Sequence, residues 1–153
     1  MAITLDQSEI DSFLAQGHTV IFTTIDAAGY PHAAPLWYVY LDGAIYVRTL
    51  ARSLKAKNIA RNNKVCCLVE SGERWRDLKA VIVRGHANAV TDDAALARIQ
   101  AALDAKYSSF RETRQALPQR TQQHYSQSRV FFKVTPDKPI ASWDNRKLRL
   151  TPG

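Results

Sequence analysis

Short stretches that alternate apolar and polar residues, divided by polar turns, fill most of this chain. That period of two marks half-buried β-strands. Thr19-Val-Ile-Phe-Thr-Thr-Ile25 is the first, rich in β-branched and aromatic residues. Asp26-Ala-Ala-Gly29 then turns the chain, and a second strand runs from about His32 to Leu41. Asp42-Gly43 is a tight hairpin signal leading to a third strand, Ala44 to Thr49. A fourth covers Val65 to Glu70, a fifth about Lys79 to Val90, and a sixth Arg129 to Thr135. The tail from Ile140 to Leu150 adds a short seventh.

Helical periodicity is confined to a few places. Residues 4–16 carry Ile10, Phe13 and Leu14 on one face, with Thr4 or Asp6 as cap and Gly17 as stop. Ser53 caps a helix over residues 53–62. Thr91-Asp92-Asp93 starts a third, with Ala94, Leu96, Ile99 and Leu103 in register to about Tyr107. Residues 111–126 are polar and suit a further helix interrupted by Pro118. Strands joined by hairpins, with few helices, predict a mainly β (α+β) domain. The expected form is a six- to seven-stranded antiparallel barrel with peripheral helices. Strand–helix alternation and a glycine-rich dinucleotide fingerprint are both absent, so a doubly wound parallel sheet is not expected. Nothing resembles a flexible linker, and all 153 residues form one expected domain.

The junction between the third strand and the second helix holds the densest candidate chemistry. Arg48, Thr49, Arg52, Ser53, Lys55 and Lys57 cluster there. A helix start offers unpaired backbone N–H groups and partial positive charge, and hydroxyls with an ammonium would complete a phosphate site. The same residues also describe an ordinary capped helix with solvated lysines.

A net charge of +7 favours an acidic partner. The basic residues are scattered over 48–64, 74–84, 111–120 and 146–149, without aromatic-interleaved, zinc-finger or zipper spacing, so nucleic acid is not the expected partner. No apolar run is long enough to span a bilayer, and the N-terminus lacks a signal-peptide pattern, which predicts a cytoplasmic protein. Adjacent Cys66 and Cys67 should point to opposite faces of a strand, unable to bridge each other. No nucleophile triad, paired carboxylates or metal-ligand spacing stands out. His32 and His86, in or beside strands, read as ordinary strand residues or as proton donors facing a site.

The order of motifs resembles the split β-barrel flavin-binding proteins related to pyridoxamine 5′-phosphate oxidase. Gly29-Tyr-Pro31 opens the second strand, Thr49-x-x-x-Ser53-x-Lys55-x-x-Asn58 follows the hairpin, and Gly85-His-Ala87 lies in the fifth strand. The likeness spans roughly residues 5–145. It implies a homodimer with two FMN sites at the interface, acting on a small organic molecule by hydride or electron transfer. It also implies that Pro35, Leu36 and Trp37 run beside the flavin ring. Thr49, Ser53 and Lys55 would hold the phosphate, assisted by Lys57 and Arg48 or Arg52. Trp75, Trp143 and Arg146 would close the partner's site. A branch of the family uses the deazaflavin coenzyme F-420, to whose acidic tail Lys57 and Arg61 could reach. The arginine-bearing C-terminal substrate segment of true pyridoxamine 5′-phosphate oxidases has no equivalent here, so the resemblance does not carry that activity over. A non-enzymatic flavin- or haem-binding protein on the same barrel is the other expectation.

Overall fold

The computed structural model describes residues 3–149. Eight strands form one antiparallel sheet: β1 Val20–Ile25, β2 Pro31–Leu36, β3 Tyr38–Leu41, β4 Ala44–Leu50, β5 Lys64–Ser71, β6 Lys79–Ala89, β7 Arg129–Pro136 and β8 Ala141–Asp144. Helices α1 Gln7–Gln16, α2 Leu54–Arg61, α3 Asp93–Tyr107 and α4 Gln119–Tyr125 pack around it. The sheet order is β2-β1-β5-β6-β7-β4-β3. One edge of β6 pairs with β5, while the other is shared between β8, along Lys79–Ile82, and β7, along Gly85–Ala89. The two end strands of this order, β2 and β3, are consecutive in the chain, so the sheet has to curl into a split barrel. The expected barrel is borne out. None of the described helices is long and apolar enough to cross a membrane.

The strand count exceeds the expectation because the predicted His32–Leu41 strand is two strands broken at Trp37. β2 pairs only with β1 and β3 only with β4. At Trp37 the chain leaves one end of the sheet and enters the other. The alternation continues through the break, so the sequence hides it: Leu36 and Tyr38 pack on the main core, Trp37 on the opposite side.

Local chemistry sets the boundaries. Asp6 and Glu9 form a reciprocal capping box at α1. Ser53 and Asp92 cap α2 and α3 through the amides of Ala56 and Ala95. Asp42 and Gly43, at φ 52° and 79°, make the left-handed pair that a two-residue hairpin needs. Pro118 begins α4 rather than interrupting a longer helix, because a helix start requires no N–H from it. The tail strand ends at Asp144, well before Leu150, which lies outside the described residues.

The main core fills the barrel with Val20, Phe22, Tyr38, Ile45, Val47, Cys67, Val81, Val83 and Val134, closed at one end by Ile10 and Leu14 of α1. A second cluster lies outside β3 and β4, where Ile99, Leu103 and Tyr107 of α3 meet Val39, Trp37 and Phe131. Spaced four apart, these three α3 residues form one stripe. Cys67 is in the core and Cys66 is half-buried on the other face; both are free thiols, as alternation requires.

Candidate functional site

The break at Trp37 creates a groove. Its cavity is about 820 Å³ and is lined by Pro35, Leu36, Trp37, Arg48, Leu103, Phe110, Arg111, Arg114, Leu117, Tyr125 and Arg129, among others. That size lies within the range of small-molecule sites, about 300–1,000 Å³. Its floor is the end of β2. One wall comes from α3 and β4, and the other from the irregular segment 108–118 with α4.

Tyr107 holds the floor together. Its side chain is fully buried. The Tyr38 amide donates to its hydroxyl at 3.0 Å. The hydroxyl lies 2.8 Å from the carbonyls of both Tyr38 and His18, toward either of which it donates. One phenol thus serves backbone on both sides of the barrel seam. Its ring stacks on the Trp37 indole at 4.5 Å and 5°. The neighbouring Lys106 is half-buried and donates to the Tyr38 carbonyl at 3.0 Å, its ammonium 4.0 Å from the Tyr38 ring centroid. Burial pulls its pKa down to about 8.

Four guanidinium groups line the groove: Arg48, Arg111, Arg114 and Arg129. Arg48 is half-buried and donates to Gln100 Oε1 at 2.9 Å. Gln100 passes the contact on, donating to Asp104 Oδ1 at 2.9 Å, and Asp104 accepts from Arg111 at 2.8 Å. Arg129 donates to the Tyr125 carbonyl at 3.0 Å, and Arg114 has no ion pair or side-chain hydrogen bond among the described residues. Burial, then repulsion from Arg129 and Arg111, lowers the pKa of Arg48, which Asp104 partly opposes.

The phosphate motif stands on another face. Arg48 and Thr49 are neighbours on a strand, so their side chains diverge. Thr49 donates to Ser53 Oγ at 3.1 Å, and that oxygen accepts the Ala56 amide at 3.2 Å. Lys55 is half-buried and Lys57 exposed. Arg52, Lys55 and Lys57 make no ion pair or side-chain hydrogen bond among the described residues. Asn58, the motif's last member, is structural: it is fully buried and donates to Thr24 Oγ1 at 3.0 Å, fixing α2 to β1. Arg61 is exposed, but its guanidinium is already engaged, donating to the Ile25 carbonyl at 2.9 Å and to Asn58 Oδ1 at 3.2 Å.

The remaining expected residues lie elsewhere. Trp75 is exposed beside the turn at Asn145, whose side-chain amide donates to its carbonyl at 2.7 Å. Half-buried Trp143 pairs with Ala80, and Arg146 grips the buried Asp144 through two 3.0 Å bonds. None of these three lines the groove. Neither do His32, whose Nδ1 is buried without a hydrogen-bond partner, and His86, which meets Asp137 at 3.2 Å. Sequence reasoning missed Tyr107, Phe110, Arg111, Arg114, Tyr125 and Arg129. The scattered basic residues at 111–120 mark Arg111 and Arg114 in the sequence, and nothing marks the others as site residues.

Comparison with known proteins places this geometry. A family profile described as pyridoxamine 5′-phosphate oxidase matches residues 7–140. Among solved structures, conserved hypothetical protein Rv2991 of Mycobacterium tuberculosis is 28% identical with a TM-score of 0.80, covering 100% of this chain and 96% of its own. An FAD-binding protein of Mesorhizobium loti is 18% identical, TM-score 0.69, with 91% and 94% covered. An F-420 reductase is 19% identical, TM-score 0.63, with 86% and 94% covered. No curated protein matches. With the profile spanning most of its length, the chain belongs to the pyridoxamine 5′-phosphate oxidase family.

Proposed function

We propose that this protein is a homodimeric, FMN-dependent oxidoreductase acting on a small organic molecule. The observation that carries the reading is a pair of features flanking the end of β4, one on each of its faces. One is a groove floored by Pro35, Leu36 and Trp37. The other is a helix start where Thr49, Ser53 and Lys55 stand together with two cations nearby, Arg52 and Lys57, that have no ion pair among the described residues. A flat ring with an anionic tail fits that pair. The floor is apolar, and among the described residues Glu112 is the only carboxylate lining the groove. The hydroxyls of Thr49 and Ser53 and the ammonium of Lys55 would hold the phosphate, and the Trp37–Tyr107 stack would keep the ring site rigid and dry. When bound, the flavin supplies the hydride or electron transfer itself.

The dimer is supported by the outer face of the sheet. Pro35, Ile21, Leu68 and Ile82 stand side by side across four strands, with Ala33, Thr23, Cys66 and Arg84 in the next row. Ile21, Leu68 and Ile82 remain partly exposed in the single chain. A second copy would cover this apolar row and bring its own Trp75, Trp143 and Arg146 toward the neighbouring cofactor.

The test starts with the absorption spectrum of the purified protein and mass analysis of what heat releases. FMN is then titrated into wild type and Lys55→Ala. The variant should lose about 1.5–3 kcal/mol, the worth of a charge-assisted hydrogen bond. Unchanged affinity would overturn the phosphate assignment. A deazaflavin cofactor is the second reading, favoured by the exposed Arg52 and Lys57, which could meet a longer acidic tail. Tighter binding of the deazaflavin in a parallel titration would select it. Cofactor binding without turnover of any hydride donor would make the protein a carrier rather than an enzyme.

A further inference from the structure

Lys106 stands at the barrel seam, one residue before Tyr107 and outside the groove lining. Its Nζ donates to the Tyr38 carbonyl at 3.0 Å and lies 4.0 Å from the Tyr38 ring centroid and 5.2 Å from that of Tyr107. We infer that this amine is an acyl-acceptor site, modified by small acyl phosphates, and that its acylation cancels the charge beside the groove floor.

The contrast with other packed lysines supports it. Lys79 lies 4.8 Å from the Phe13 ring centroid with Asp144 at 3.8 Å, and Lys147 meets Glu9 at 2.7 Å. Each of those ammoniums has a carboxylate to hold its proton. Lys106 has no carboxylate within ion-pair distance among the described residues. The titratable groups around it are the phenols of Tyr38 and Tyr107 and, beyond Tyr107, the His18 imidazole. Burial raises the pKa of both phenols, so neither supplies a counter-charge. A cation that exchanges water for one carbonyl and two rings gives up its proton more readily, and burial brings Lys106 down to about 8.

The chemistry needs nothing further from the fold. The neutral amine spends one N–H on the Tyr38 carbonyl and keeps its lone pair for attack. The nitrogen adds to the acyl carbon, the C–O bond to phosphate breaks, inorganic phosphate leaves and the surplus proton on nitrogen passes to water. No electrons change hands. The amide that results retains an N–H for the Tyr38 carbonyl, so the seam contact survives while the charge does not. Lys106 is only half-buried, which leaves Nζ within reach of solvent, and a net charge of +7 draws an anionic reagent to the protein.

The test is competitive labelling of the full chain. Native protein is treated briefly with acetyl phosphate at neutral pH, then unfolded and fully acetylated with deuterated acetic anhydride. The light-to-heavy ratio at each lysine, read by peptide mass spectrometry, ranks their native reactivities. At neutral pH about a tenth of an amine with a pKa of about 8 is unprotonated, against less than about one in a thousand for an ordinary lysine. Lower basicity and partial burial return part of that advantage, so Lys106 should lead the other lysines by about tenfold. The lead should vanish when the first step is run in urea. The rate at Lys106 should also level off above about pH 9 while the others climb on. A ratio at Lys106 no higher than elsewhere, a lead that persists in urea, or a rate that climbs in step with the other lysines would each overturn the inference.

Discussion

Replacing Tyr107 with Phe removes one oxygen and should cost more than any surface change of the same kind. That hydroxyl accepts the Tyr38 amide at 3.0 Å and lies 2.8 Å from two carbonyls. The Tyr38 carbonyl keeps Lys106 at 3.0 Å, and the His18 carbonyl, on an exposed residue, can turn to water. The Tyr38 amide has no substitute, and Tyr38 is fully buried. An orphaned buried donor costs about 1–3 kcal/mol, and the lost donation adds up to about 1 kcal/mol more. The ring stack on Trp37 survives, so packing losses stay small. We expect about 2–3 kcal/mol from urea unfolding with an unchanged m-value, and a Tm lowered by about 4–12 °C for a domain of this size. Tyr40→Phe is the control: its hydroxyl donates to Asp11 at 2.6 Å on the surface, and its loss should cost less than about 1 kcal/mol. If Tyr107→Phe costs no more than Tyr40→Phe, the bridging role of this phenol across the seam is wrong.

Other outcomes follow from single contacts. Lys106 is a base whose folded pKa, about 8, lies below its unfolded value, so the unfolded chain binds more protons between about pH 8 and 10.4. Stability should therefore rise with pH across that window, by about 1–2 kcal/mol after allowance for partial exposure, and Lys106→Met should flatten the rise in a pH series of denaturant midpoints. Asp144 behaves oppositely: hydrogen bonding from Arg146 lowers its pKa, so its contribution is present above the ordinary carboxylate pKa and is lost as pH falls. Asp144→Asn should cost about 1–3 kcal/mol at neutral pH and flatten the acid limb. Gly85→Ala should destabilise by about 1–3 kcal/mol, because a Cβ there runs into the Thr135 carbonyl of β7. A thermal scan showing wild-type stability would refute that close approach.

Much of the fold is legible in the sequence because its local signals agree. Strand alternation, the Asp42-Gly43 turn and the Ser53 and Asp92 caps each point to the element that forms. Gly85, inside a strand, marks a close backbone approach, as glycine there tends to do. The break at Trp37 is not legible, since alternation tells which face a side chain takes and not which strand lies alongside. The divergence of Arg48 from Thr49 could have been read from that same alternation, yet charge proximity along the chain groups them together. Asn58 looks like part of the phosphate motif, but its role depends on Thr24, 34 residues away. The arginine wall escaped because residues 109–126 show no regular period, and its members meet Arg48 only through tertiary packing.

The most direct test of the central claim is a crystal structure of the protein with FMN. The account predicts a dimer joined through the Ile21–Leu68–Ile82 face, the flavin ring along Pro35, Leu36 and Trp37, and the phosphate on Thr49, Ser53 and Lys55. A phosphate seated between Arg48 and Arg129 would contradict it, making the arginine groove the cofactor's own anchor.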